Sequence, residues 1–164
     1  MEAERSLAAR LRELEDREAI RNLIASYGPA ADRGDAAAAA ALWAEDGLYD
    51  VGGFGVYRGQ GALEAMLLGK SHQTLIAGGA AHVLSPVEVR LQGDTATAIG
   101  YSCVFCWTGE RFEVYRVSAN RWRLRRGAGG NWQVELRENR LLNGDADALV
   151  LLSAAPPDLP APGE

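Results

Sequence analysis

The sequence predicts an α+β fold, with helices first and a long-stranded antiparallel meander after them. Three observations carry this. Up to Leu68 the apolar residues fall largely at helical spacing between glycine-rich turns. After Gly78-Gly79 the chain becomes rich in Val, Thr, Tyr, Phe and Trp. The connections in that half, Gln92-Gly93-Asp94, Thr108-Gly109-Glu110 and Gly127-Ala-Gly-Gly130, all carry turn chemistry.

The elements follow in order. Leu11, Leu14, Ile20, Leu23 and Ile24 recur at roughly helical spacing, which predicts a helix over 7–24, and Asp16 offers a fresh start within it. Gly28-Pro29 predicts a kink or break, because proline is tolerated mainly in a first turn. Asp35 is a natural N-cap for an alanine-rich helix running to Trp43, closed by Glu45-Asp46-Gly47. A short strand over 48–51, a turn at Gly52, Gly53 and Gly55, and Val56-Tyr57 come next. Another helix is expected from about Gly61 to Leu68, ending at Gly69. Segments 81–91, 95–107, 111–126 and 132–142 read as strands long enough to curve strongly around the helices. Residues 1–145 are expected to form one domain. Residues 146–164 are expected to be a mobile tail, since four of the six prolines fall in its last stretch.

Length and composition bound the function. A chain of 164 residues, 48% apolar and 24% charged, suits a single globular domain. No apolar run reaches the length of a spanning helix. The opening Met1-Glu-Ala-Glu-Arg lacks the layout of a secretory signal, and with two cysteines in all the expected location is the cytoplasm. A net charge of −5 disfavours nucleic acid as a partner. Residues 111–140 nevertheless hold eight Arg against three acids. In Arg121-Trp-Arg-Leu-Arg-Arg126 the arginines alternate with Trp122 and Leu124, as on a strand with one solvated or subunit-facing side.

Few residues can do acid–base chemistry. His82 opens the first long strand, and His72 lies in a polar connection after a helix. An imidazole is the usual general base near neutral pH, although each could equally fill a half-buried position. Asp32 could orient such a ring or cap its own turn, and Tyr27 could hydrogen-bond a substrate oxygen. Arg137 is expected on the face of the last strand opposite Trp132, Val134 and Leu136, facing either solvent or a polar cavity. Cys103 and Cys106 lie three apart on a strand, pointing to opposite faces, and make neither a metal site nor a disulfide. Gly53-Phe-Gly55 starts like a dinucleotide fingerprint but lacks the third glycine and the βαβ setting. No cofactor or metal motif is present, so none is expected.

In order and spacing, several segments resemble the SnoaL-like branch of the nuclear-transport-factor-2-like superfamily. They are Asp16-Arg-Glu-Ala-Ile-Arg-Asn-Leu-Ile-Ala-Ser-Tyr27, Asp32-Arg-Gly-Asp35, Leu42-Trp-Ala-Glu-Asp-Gly47 and Val56-Tyr-Arg-Gly59. His82, Gly93-Asp-Thr-Ala96 and Gly130-Asn-Trp132 with Arg137 complete the set, which covers about residues 8–145. The resemblance implies a cone, a cystatin-like roll with a deep pocket at its open end. Within the branch the chain is most similar to the group of scytalone dehydratase, bile-acid 7α-dehydratase and hexachlorocyclohexane dehydrochlorinase. That similarity implies a catalytic Asp–His pair at Asp32 and His82, with Tyr27 and Arg137 matching further pocket positions. Scytalone dehydratase carries a second histidine on a central strand, where this chain has only Tyr101, Cys103, Phe105 or Trp107. The expected activity is a cofactor-independent elimination, of the dehydratase type, on a small cyclic, polyketide-like or steroid-like molecule. The pocket walls are expected to include Trp43, Tyr49, Tyr101 and Phe105. An isomerase or cyclase using the same base, or a binding or assembly module, are the alternatives. A homodimer or homotrimer is expected, because family members usually bury the outer face of the open sheet.

Overall fold

A computed structural model of the chain describes residues 6–153. The first helix, α1 (Leu7–Asp32), starts where the Ser6 hydroxyl accepts a hydrogen bond from the Ala9 backbone N–H. Of its six buried residues, Ile20, Ile24, Tyr27, Gly28 and Ala31 form one stripe at helical spacing, with Ala30 beside it. Leu7, Leu11 and Leu14 are exposed instead of continuing that stripe. No break occurs at Gly28-Pro29: α1 runs straight through, with Pro29 in its last turn. A proline so near the end costs the helix a single backbone bond, and Gly28 is kept for packing.

A short helix, α2 (Ala36–Ala40), is capped by the Asp35 carboxylate, which accepts from the Ala38 N–H at 3.0 Å. It ends earlier than its alanine run predicts, because Trp43 opens strand β1 (Trp43–Val51) and is fully buried. Burial of an indole outweighs helix propensity. Strand β2 (Gly55–Arg58) returns antiparallel to β1, so the glycine-rich turn closes a hairpin. Helices α3 (Gln60–Leu68) and α4 (Lys70–Ala77) follow, and the expected polar connection around His72 is therefore a helix.

The expected strand over 81–91 is two, β3 (Ala80–Leu84) and β4 (Glu88–Gln92), split at Ser85-Pro-Val87. Both pair with the 13-residue β5 (Thr95–Trp107), on either side of Gly100. A side chain at Gly100 would meet Ser85 Oγ and Val87 Cγ1 at 2.9 Å, so the crossing depends on glycine. The 15-residue β6 (Phe112–Arg126) and β7 (Trp132–Leu141) complete the sheet. Its order is β2-β1-β7-β6-β5-β3, antiparallel except for β1 beside β7. The result is an open, curved sheet with α1 packed against one face, as the fold class predicts.

Residues 146–164 do not all form a tail. Helix α5 (Ala146–Leu152) buries Ala148 and Leu151 against Ala119 on the outer face of the sheet. Apolar residues three apart suffice for this short amphipathic turn. The prolines at 156, 157, 160 and 162 lie outside the described residues. Nor is the arginine stripe of β6 simply solvated. Arg121 is 3% exposed and pairs with Glu138 at 2.8 Å. Among the described residues, no helix is long and apolar enough to cross a membrane.

Candidate functional site

The site begins at the C-terminal end of α1. There Asp32 faces His82 on β3. One carboxylate oxygen accepts from the His82 backbone N–H at 2.8 Å, and the other lies 2.6 Å from the ring Nδ1. This two-point grip fixes both the position and the orientation of the imidazole. It assigns the proton to Nδ1 and leaves Nε2 as the basic nitrogen. Gly28, one turn earlier, lets the strand approach: a Cβ there would come 2.1 Å from the His82 carbonyl oxygen.

The deep wall comes from three neighbouring strands. Tyr49 on β1 and Trp122 on β6 are the cross-strand neighbours of Arg137 on β7. Its guanidinium carbon lies 4.5 Å from the Tyr49 ring, 4.2 Å from the Trp122 ring and, from above, 4.5 Å from Tyr27. Three aromatic faces around one cation offset part of its desolvation. Arg137 is 2% exposed, and among the described residues its Nη1 has no hydrogen-bond partner.

Simple alternation puts Arg137 opposite Val134 and Leu136, whereas it shares the inner side with Val134. The register supplies the reason. Leu124 pairs with Val134 and Arg123 with Leu136, so Glu135 is an extra residue. This β-bulge inverts the parity and turns Arg137 and Asn139 inward.

A polar chain extends from Arg137 across the inner face. Its Nε donates to Asn120 Oδ1 at 2.9 Å, which also accepts from Asn139 Nδ2 at 3.2 Å. Asn139 Oδ1 accepts from Arg116 Nη2 at 3.0 Å, and Asn120 Nδ2 donates to Ser102 Oγ at 2.8 Å. Sequence reading missed this chain. A signal was available, since extending the Trp122–Leu124 alternation backwards puts Ser118 and Asn120 at inward positions where apolar residues are the rule.

These groups line a cavity of about 400 Å³. Tyr27, Tyr49, His82 and Arg137 all reach it, with Leu84 and Val104 among the apolar walls. Three expected wall residues do not. Trp43 is fully buried beneath Tyr27 and Tyr49, with ring centroids 5.8 and 5.5 Å away. Tyr101 and Phe105 lie on β5 but outside the cavity, because that strand turns Ser102 and Val104 inward. Tyr101 is 48% exposed.

His72 is the residue underrated most. On α4 its ring lies 5.5 Å from that of His82, and Nδ1 is 2.9 Å from the Leu67 carbonyl oxygen. Nε2 is buried without a hydrogen-bond partner among the described residues. Burial, and then the neighbouring His82, pull its pKa below the ordinary imidazole value. His72 is thus a neutral ring at neutral pH. Burial also pushes the Tyr27 phenol far above its usual value, reinforced by Tyr49 and opposed by Arg137. Tyr27 therefore donates hydrogen bonds but yields its proton poorly.

Among the described residues, no group of three or more His, Cys, Asp or Glu is placed to hold a metal ion, and Cys103 and Cys106 are free thiols. What the arrangement offers is a positioned imidazole, a phenolic donor and a buried cation around one space.

Comparison with known proteins agrees with this architecture. The profile of the SnoaL-like domain matches residues 12–138. An NTF2-like protein with a cystatin-like fold from Novosphingobium aromaticivorans is 52% identical, with a TM-score of 0.88 over 93% of this chain and 99% of that one. A protein from Catenulispora acidiphila in complex with S-DNPA is 19% identical, with a TM-score of 0.67 over 78% and 94% of the two chains. ActVI-ORFA from Streptomyces coelicolor is also 19% identical, with a TM-score of 0.67 over 77% and 94%. A search of the curated proteins gives no match.

Proposed function

The chain belongs to the SnoaL-like domain family, and from that premise we propose that it is a cytoplasmic, cofactor-independent lyase of the dehydratase type. The observation that supports this most is the 2.6 Å contact between Asp32 and the His82 ring at the wall of the cavity. In this reading Nε2 of His82 removes a proton from carbon beside, or vinylogous to, a carbonyl. The electron pair moves onto the carbonyl oxygen, where the Tyr27 hydroxyl and the Arg137 guanidinium stabilise the developing charge. As the C=C bond forms, the C–O bond to the leaving hydroxyl breaks. The imidazolium returns its proton there, and water departs. Asp32 balances the charge that the ring carries in between. A cavity of about 400 Å³ with aromatic walls suits a small cyclic substrate, polyketide-like or steroid-like in shape.

With Tyr27 a poor proton donor, protonation of the leaving group rests on the His82 imidazolium alone, which favours a second reading on the same base. If no acid serves the leaving group, His82 can return the proton to another carbon, which is isomerisation or cyclisation without loss of water. Product mass separates the two readings. A purely binding or assembly module would have no use for the Asp32–His82 arrangement. A homodimer or homotrimer goes with either reading, supported by Val83 and Tyr101, exposed on the outer face of the sheet.

His82→Ala and Asp32→Asn, assayed on hydroxylated cyclic ketones, test the proposal. Each is expected to lower turnover by about 10²–10⁴-fold. Unchanged turnover in both would overturn it.

A further inference from the structure

The arginines of β6 and β7 divide into two groups. Arg121, Arg123, Arg125, Arg126 and Arg140 each have a carboxylate within 4.0 Å. Arg116 and Arg137 have none among the described residues, and these are the two that line the cavity. The partners of Arg116 are neutral: the Gly52 carbonyl, Ser118 Oγ and Asn139 Oδ1 at 2.8–3.0 Å, and the Phe54 ring 5.2 Å from its guanidinium carbon. Those of Arg137 are Asn120 Oδ1 and three rings. Lys70 adds a third positive charge, on a residue exposed to solvent. Among the described residues no Asp or Glu lines the cavity, although the chain has 22 of them against 17 Lys and Arg. Asp32 stays behind His82, engaged with its N–H and ring.

Half-buried and fully buried guanidinium groups without counter-ions are costly unless a ligand supplies the negative charge. Arg137 meets the charge that develops during reaction in the function proposed above. That leaves Arg116 with no use in the chemistry. We propose that the substrate carries a permanent carboxylate on its cyclic body, held by Arg116 with Lys70 contributing from the solvent side. The Asn139–Asn120 link holds the two guanidinium groups in one frame, so anchoring the carboxylate also places the reacting part of the ring. This inference rests on the proposed function for the role of Arg137, but the preference for an anion is a binding property and needs no turnover.

The test is equilibrium binding of 2-naphthoate and 2-naphthamide, by titration calorimetry at low and high salt. These probes share shape and differ in charge. The acid is expected to bind at least about tenfold tighter than the amide, and to weaken with salt. In Arg116→Gln the ratio is expected to fall to within about twofold, with the amide's affinity kept as a sign that the cavity is intact. Arg125→Gln, whose ion pairs lie with Asp46 and Glu135, is the control that keeps the ratio. Equal affinity for acid and amide, no measurable binding of the acid, or an unchanged ratio in Arg116→Gln would overturn the inference. Repeating the titrations in His82→Ala separates the two proposals. A lost preference beside His82-dependent turnover defeats this inference alone, and a preference retained without any turnover defeats only the lyase.

Discussion

The carbonyl oxygen of His82 rests directly on Gly28 of α1, with no room for a side chain between them. One turn further along the same helix, Asp32 holds the N–H and the ring of that same histidine. Helix and strand are thus joined at two levels, one by the absence of an atom and one by a carboxylate. The close approach at Gly28 is what brings Asp32 within reach.

Gly28→Ala should therefore be destabilising, although alanine is the better helix former. Its methyl would meet a backbone oxygen at 2.1 Å, which no rotamer change relieves, and the expected cost is about 1–3 kcal/mol. Gly61→Ala in α3 is the counter-case. Nothing lies within 4 Å of a Cβ there, so the same exchange should stabilise by up to about 1 kcal/mol. Thermal melts of the two variants should shift in opposite directions. A neutral Gly28→Ala would show that the contact relaxes freely.

Much of the fold is legible in the sequence, and the failures have physical causes. Strands β5, β6 and β7 read off almost to the residue, because turn glycines bound runs of β-favouring side chains. Trp43 was missed as a strand residue because local propensity cannot see the core that claims the indole. The inward direction of Arg137 depends on Glu135, an extra residue that no alternation rule marks. The meeting of Asp32 and His82 is tertiary. Fifty residues separate them, and spacing alone links them in no way; resemblance to a family does. His72 was underrated because its helix reads as a polar connection.

His72 sets a pH dependence of stability with a definite sign. Its folded pKa is lowered, so the unfolded chain binds the proton more readily. The folded state is penalised once the unfolded histidine titrates, and stability falls as pH drops through and below about 6.5. Above that window the term vanishes. His72→Asn, whose amide can keep the bond to the Leu67 carbonyl, should lose less stability between pH 7.5 and pH 5.5 than the wild type. Urea midpoints at the two pH values measure this, and equal losses would contradict it.

Tyr27 should act as a hydrogen-bond donor over the whole working pH range. With its pKa pushed far up by burial, it contributes no alkaline limb below pH 10. Tyr27→Phe is expected to lower turnover by about ten- to a hundredfold and leave the shape of the pH–rate profile unchanged. An alkaline limb that disappears in the variant would mean that the phenol ionises during the cycle.

Arg137 and Arg121 should respond oppositely to the same substitution. Arg137 is 2% exposed with no carboxylate partner among the described residues, so Arg137→Met removes an unpaired charge and keeps an apolar stem against Tyr27, Tyr49 and Trp122. Lost cation–π contacts, about 0.5–2 kcal/mol each, oppose the relieved desolvation of several kcal/mol. Stability should stay within about 1 kcal/mol of wild type, while turnover falls by about 10²–10³-fold. Arg121→Met leaves Glu138 half-buried without its partner and should destabilise by about 2–3 kcal/mol with turnover per folded molecule retained. Denaturant melts with rates normalised to folded protein read both quantities. A large loss of stability in Arg137→Met with normal turnover would make that arginine a packing residue, and the buried charge would then belong to the fold rather than to the chemistry.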